Sequence, residues 1–297
     1  MSDVPEHYLR YGGATLSAAI DKYVYVAVMP TPHRHIKVSY SKQECVKDVD
    51  DLQNDIVKNA LKYFNIRAGI EITTFADIPT IGTGLAGSSA FTCALVRALA
   101  EHIGYNFTDY EVAEAAAHIE IKMCGWKIGK QDQYASAFGG MNYIQYLKED
   151  RCIVQRIDPA EIDLFMLLIP TNIERHASEI IGNVDFQVKH MLINDLALIA
   201  KELSDKVPDL DLYGEYLNKS WAIKKQLDGG ISNSAIDGMY DQCIQSGACG
   251  CKLLGAGGGG YVLALTDRKD NIRNAFSDRL CLDVNISDEG ARVVYKD

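Results

Sequence analysis

Five glycines in six positions, Gly255-Ala256-Gly257-Gly258-Gly259-Gly260, constrain this chain more than any other feature in it. Glycine loses more conformational freedom on folding than any other residue, and a simple turn needs one or two. A run this dense, leading into the apolar segment Tyr261 to Leu265, predicts a close backbone approach, either to a ligand or to another loop. A second candidate loop is Pro79-Thr80-Ile81-Gly82-Thr83-Gly84-Leu85-Ala86-Gly87-Ser88-Ser89-Ala90. It feeds directly into a stretch with Phe91, Ala94, Leu95, Ala98 and Leu99 at helical spacing, which predicts a helix over 88–103 with Gly104 as its stop. Free N–H groups and the positive end of the helix dipole then meet at one point, the arrangement that attracts phosphate. The hydroxyls of Ser88 and Ser89 can add phosphate contacts or a Mg²⁺ ligand.

Two nucleotide motifs nearly fit this loop. Gly82-x-Gly84-x-x-Gly87 has dinucleotide spacing, and Glu101 follows at the distance of a ribose-binding acid; yet Asp77-Ile78-Pro79 interrupts the direct strand-to-turn passage that the motif requires. The interval from Gly82 to Gly87 also echoes a P-loop, but Ser88 stands where its lysine should be. A dehydrogenase of the Rossmann type would leave the second glycine run without a role.

The rest of the chain reads as strands, helices, strand, helices, strand. Strands are predicted over 23–28, 36–40, 69–74, 164–169 and 261–265. Helices are predicted over 55–64 and from a capping box at Thr108 and Glu111 through Lys122. The segment 178–227 is mainly helical with a break near Pro208. That order predicts an α+β chain with a change of domain near residues 155–165, giving 1–158 and 159–297. The length of 297 residues agrees with about two domains.

Composition removes whole classes of function. Hydrophobic residues make up 47% and charged residues 24%, which excludes a disordered or fibrous chain. Forty acidic against thirty basic residues leave a net charge of −10, so no broad basic surface is available for nucleic acid. An anionic small substrate would have to be met by local cations. No apolar run approaches the ~20 residues of a membrane span. The eight cysteines are scattered and the chain opens on a polar segment, so free thiols in a reducing cytoplasm are expected. Cys243, Cys249 and Cys251 lack a fourth ligand at zinc spacing. His33 and His35 fall in a predicted hairpin tip and read as solvated.

Between the glycine loops lie Glu120 and the segment Gly129-Lys130-Gln131-Asp132-Gln133. Phosphoryl transfer needs a phosphate cradle, a metal, a cation and a group that orients or deprotonates the attacking hydroxyl. A carboxylate near Ser89 suits Mg²⁺, which prefers hard oxygen ligands; a second one suits the hydroxyl proton. Lys130 is a candidate to keep Asp132 ionised and to offset substrate charge.

Together these motifs resemble the GHMP small-molecule kinases, the superfamily of galactokinase, homoserine kinase and mevalonate kinase. Within it the chain is most like the D-glycero-α-D-manno-heptose 7-phosphate kinases, over almost its whole length. Gly82 to Phe91 resembles the nucleotide loop, His118-Ile119-Glu120 the metal segment, Ile128 to Tyr134 the catalytic segment, and Lys252 to Gly260 the third motif. Thr171 to Ala177 and Trp221 to Lys225 resemble sugar-kinase segments. The resemblance implies an N-terminal domain like ribosomal protein S5 domain 2, a ferredoxin-like C-terminal domain, and a site between them. It implies ATP on Gly82, Thr83, Gly84, Leu85, Ala86, Gly87, Ser88 and Ser89, with Gly257 and Gly258; Mg²⁺ on Ser89 and Glu120; catalysis by Asp132 and Lys130; and substrate contacts from Asp3, Arg175, Lys127 and Gly257. The implied reaction is transfer from ATP to the anomeric hydroxyl of a sugar or sugar phosphate in the cytoplasm, by a monomer or homodimer. The sequence departs from the family twice. Ala86 precedes the last glycine of the nucleotide loop, and of the family's first motif only Asp3 remains, so the first strand is expected to be missing. An ATP-binding chain without transferase activity, or a kinase for fucose or a neutral hexose, are the alternatives.

Overall fold

The computed structural model describes residues 1–79, 82–159, 162–173, 177–206 and 209–296. The first half runs α1 (Pro5–Tyr11), β1 (Gly13–Ala18), β2 (Val24–Pro30), β3 (Ile36–Ser39), β4 (Gln43–Val46), α2 (Asp55–Tyr63), β5 (Ile70–Ala76), α3 (Gly87–His102), α4 (Asp109–Ala117), α5 (Gln131–Phe138), β6 (Met141–Tyr146) and β7 (Cys152–Ile157). The second half runs β8 (Met166–Pro170), α6 (Ala177–Gly182), α7 (His190–Ser204), α8 (Leu210–Lys224), α9 (Ser234–Gln245), β9 (Gly250–Leu253), β10 (Tyr261–Leu265), α10 (Lys269–Ala275) and β11 (Leu282–Asp283). The chain is α+β, as its element order predicts.

Among the described residues three sheets form, ordered β2-β5-β3-β4, β1-β6-β7 and β11-β8-β10-β9. Only β3 and β5 pair in parallel among them. Local chemistry starts the helices. Asn54 accepts from the Val57 N–H at the head of α2. Thr108 and Glu111 close the capping box of α4 that their spacing predicts, satisfying two otherwise orphaned N–H groups.

Three cores hold these layers. The inner faces of β3 and β5 pack with α2, α3 and α4 around Ile36, Ile72, Leu61, Leu95 and Ile119. In the second half, Leu167, Ile169, Val262 and Ala264 face α9 and α10. The opposite face of that sheet, with Leu168 and Leu265, meets Met141 and Tyr143 of β6 and the α7 and α8 residues Ile199 and Tyr213. This third core joins the two halves across the predicted boundary. Each such buried aliphatic or aromatic side chain contributes roughly 1.5–3 kcal/mol.

Several elements differ from the sequence-based expectation. The helix predicted through Lys122 stops as an α-helix at Ala117 and continues as a wider π-turn over His118–Met123. The apolar run 164–169 opens as a 3-10 turn and becomes a strand only at Met166. The long helical region is three helices, α6, α7 and α8; its predicted break at Pro208 lies outside the described residues. No helix among the described residues is long and apolar enough to cross a membrane.

Candidate active site

A cleft of about 2190 Å³ runs between the two halves. Its walls are the first glycine loop, β2, the residues around Asp132, and an opposite side built from α8, β9 and the start of the second glycine loop. All eight loop residues from Gly82 to Ser89 line it. Gly82 and Gly84 take positive φ, and so does Ala86, at φ 57° and ψ 26°. This left-handed turn brings the chain into α3 with no side-chain cap. The first-turn N–H groups of Gly87, Ser88 and Ser89 therefore have no partner within the helix, and they open on the cleft beside the positive dipole end.

Directly behind this helix start sits Glu120, completely buried. The π-turn places it there: its wider winding re-aims a side chain relative to an α-helix. Ser89 Oγ donates to its Oε2 at 2.9 Å and Thr92 Oγ1 to its Oε1 at 3.0 Å. Gln133 Nε2 donates to Oε2 as well. Burial pushes the carboxyl pKa up, and the hydrogen bonds from Gln133, Ser89 and Thr92 only partly oppose that. The Gln133 Oε1, buried in the same cluster, has no hydrogen-bond partner among the described residues. One carboxylate, two hydroxyl oxygens and an orphaned amide oxygen make a hard-oxygen set of the kind Mg²⁺ takes, with phosphate oxygens completing its shell. The residues present fit such an ion.

Asp132, one position before Gln133, lines the same cleft. Asp3 reaches this segment from the chain start. It is buried, and its Oδ2 accepts from the Gln131 N–H at 3.2 Å. Burial disfavours the Asp3 carboxylate, but the Met1 amino group at 2.7 Å and the Gln131 N–H outweigh it, so its pKa lies below the usual value.

Among the described residues, Lys130, Lys127, Gly257 and Gly258 are not brought into the cleft. Lys130 points away from it. Its ammonium is buried between Glu114 at 3.2 Å and Asp150 at 2.9 Å, whose hydroxyl partners are Tyr134 and Tyr8. Because residue 130 caps the start of α5, one residue of helical rotation separates it from Gln131 on the cleft side. Lys127 is exposed and stands outside the lining. Gly257 and Gly258 do not line the cleft either. A Cβ on Gly257 would come 2.8 Å from the Ile231 Cα, and the Gly258 N–H donates to the Ile231 carbonyl at 2.9 Å. Arg175 lies outside the described residues.

The second glycine run is hemmed in by backbone, with Gly257 against Ile231, Gly259 against Ile173 and Gly260 against the first loop. A Cβ on Gly260 would lie 2.2 Å from the Thr83 carbonyl oxygen, and the Tyr261 N–H donates to that oxygen at 3.1 Å. Of the two partners that the sequence left open, another loop and a ligand, the former is what the backbone touches. Thr92 and Gln133 went unread in the sequence. Thr92 sits three residues after Ser89 and so shares its helix face, which is the one signal that could have found it.

The matched models are "GHMP kinases N terminal domain" over residues 54–140 and "GHMP kinases C terminal" over residues 197–280. The chain is 28% identical over 291 aligned residues to the D-glycero-alpha-D-manno-heptose 7-phosphate kinase of Campylobacter jejuni, covering 90% of this chain and 85% of that protein. In structure it resembles a D-glycero-D-manno-heptose 1-phosphate kinase of Bacteroides thetaiotaomicron, with TM-score 0.79, 24% identity, and coverage of 99% of this chain and 95% of the other. It also resembles the Methanococcus jannaschii mevalonate kinase, with TM-score 0.74, 20% identity, and coverage of 95% and 94%.

Proposed function

We propose, from the premise that this chain belongs to the GHMP kinase family and is an ATP-dependent phosphotransferase acting on an alcohol group, that its acceptor is a sugar phosphate, D-glycero-α-D-manno-heptose 7-phosphate, converted to the 1,7-bisphosphate. The observation that carries the site assignment is the Ser89–Glu120–Gln133 cluster directly beneath an uncapped helix start, one residue from a cleft-lining Asp132. The 28% identity to the Campylobacter jejuni heptose 7-phosphate kinase supports the choice of sugar. We divide the chain at 158/159 into an ATP-binding N-terminal domain and a C-terminal domain. The free state of all eight cysteines supports a cytoplasmic setting.

In this reading the β- and γ-phosphates of ATP rest on the N–H groups of Gly84 to Ser89, where the α3 dipole favours negative charge. Ser89 and Glu120, with Thr92 and Gln133 behind them, would hold Mg²⁺, which when bound offsets the charge of those phosphates. Asp132 accepts the proton of the anomeric hydroxyl. That oxygen forms a bond to the γ-phosphorus as the bond to the ADP oxygen breaks, and ADP leaves with the electron pair. Asp3 fixes the catalytic segment through the Gln131 N–H and borders the acceptor. Lys130 holds the segment from behind.

Phosphorus NMR of the protein with Mg-ATP and heptose 7-phosphate tests the reading. An anomeric phosphate signal should grow in step with ADP. Bound but intact ATP, or faster turnover of fucose or a neutral hexose, would overturn the assigned acceptor. Asp132→Asn should lower kcat by roughly 10²–10⁴-fold with the ATP dissociation constant unchanged. Near-normal turnover by this variant would remove Asp132 from the role of base.

A further inference from the structure

With Lys130 turned away, the cleft has to find its positive charge elsewhere. Among its described lining, the lysines and arginines are Lys22, Arg97, Lys224, Lys252, Arg292 and Lys296. Lys22 is held by Asp21, Arg97 by Asp109, Arg292 by Glu289 and Lys296 by Glu101. Lys224 donates to the Gly255 carbonyl and so fastens the second glycine loop to α8. Lys252 is the exception, with neither a carboxylate nor a carbonyl partner among the described residues.

The fold puts Lys252 where an anion would need it. It lies on β9 opposite Leu263 of β10, which in turn faces Leu168 of β8. Its strand neighbours Cys251 and Leu253 point into the core on the other side of the sheet. Alternation therefore turns Lys252 toward α8 and the cleft. The wall around it is apolar, and burial alone pulls its ammonium down to about 8. A charge left this way without a counter-ion is unfavourable, unless the site is completed by a bound anion.

We propose that Lys252 recognises the phosphate monoester that the acceptor already carries, the group that takes no part in the transfer. The nucleotide phosphates have their own receptor in the backbone of the first loop, which belongs to the first half of the chain. Lys252 stands on the wall that the second half contributes, and it gives that wall an ammonium able to make charge-assisted hydrogen bonds to a dianion. The inference rests on the reading of the cleft as a kinase site for a sugar phosphate. It adds the residue that separates a phosphorylated acceptor from a neutral one.

Lys252→Met and Lys252→Arg test it. Loss of one charge-assisted contact should raise the KM for heptose 7-phosphate on the order of tenfold to a hundredfold in Lys252→Met. The KM for the same heptose without its phosphate, and that for ATP, should stay within about twofold by the same argument, and Lys252→Arg should recover most of the loss. An equal loss on both sugars would overturn the proposal. So would a rise in the ATP KM alone, which would assign Lys252 to the nucleotide. Calorimetric titration with inorganic phosphate separates this inference from the choice of sugar. Wild-type protein should bind it and Lys252→Met should not, whichever sugar is turned over; equal binding by both would sink the role of Lys252. Thermal melting guards against a folding effect. Removal of an ammonium without a partner should leave the melting temperature unchanged or higher, and a clear fall would mean that Lys252 serves the fold instead.

Discussion

At the scale of single residues, the site is a contest between burial and charge. Glu120 has no contact with solvent, and its carboxyl pKa is raised because burial outweighs the hydrogen-bond donors around it. A folded-state pKa above the unfolded one means that the ionised form costs stability, increasingly so as pH rises through it. Glu120→Gln removes that cost and also offers the unpartnered Gln133 oxygen a donor. The melting temperature should rise by about 2 °C or more, while the Mg²⁺ concentration needed for half-maximal rate increases by roughly tenfold or more. A melting temperature below wild type would show that the carboxylate is a net stabiliser. Glu120, Ser89 and Asp132 were legible in the sequence because they recur at family spacing. Thr92 carried only the helix spacing from Ser89, and Gln133 was not legible, since it reaches Glu120 across a tertiary contact.

The elements set these residues by close backbone contact. The second glycine run touches Thr83 through Gly260, at φ 100°, and Ile231 through Gly257. Gly260→Ala would combine a left-handed backbone with a Cβ 2.2 Å from a carbonyl oxygen. It should cost about 2–4 kcal/mol and weaken ATP binding, because the first loop loses its backing. Gly238, within α9 and facing open space, is the control: Gly238→Ala should gain roughly 0.5–1 kcal/mol from helix propensity alone. Equal effects in calorimetry would show that the loop contact is dispensable. The reading of a glycine-rich helix entry at 88–103 matched α3 because amphipathic spacing and a glycine stop agree there. The sequence reading passed over β1 and β6. All but one residue of β6 is buried, on both faces, so no alternation of polar and apolar residues marks it.

At the scale of the molecule, the third core and the end of the chain tie the two halves together. Residues 286–291 leave the second half and run back over the first: the Ser287 N–H donates to the Ala19 carbonyl, the Ala291 N–H to Ser136 and the Arg97 Nε to Ala291. Within the first half, the Lys130 cluster joins α1, α4, α5 and the turn after β6 through Tyr8, Glu114 and Asp150. Burial opposes the Lys130 charge, but Asp150 and Glu114 prevail and raise its pKa above the usual 10.5. Its stabilising effect is thus complete below that value and disappears as pH rises through the raised pKa. Glu114 and Asp150 are each about half exposed, so solvent screens the pair. Lys130→Met should then cost only about 1–2 kcal/mol at neutral pH, a difference that denaturant titrations should find shrinking above pH ~10.5. A loss of turnover without loss of stability would instead return Lys130 to the chemistry.

What the sequence determined by itself was the chemical inventory and its order: two glycine loops, a helix after the first, a metal-binding glutamate and an aspartate between them. Residue type and spacing write these as local facts, and the glutamate's part in metal binding is what the family resemblance implies for it. Only the tertiary structure decided which way each side chain faces. Lys130 and Asp132 are two residues apart, yet one is spent on ion pairs away from the cleft and the other lines it. The second glycine run, whose spacing left open a ligand or another loop, meets the first loop at Gly260 and Ile231 at Gly257. Lys252, unremarked in its motif, lines the cleft from β9. A helix turns about 100° per residue, and a strand reverses its face at every step. The face that meets a site depends on the packing of segments far apart in the chain, and spacing along the sequence does not carry that information.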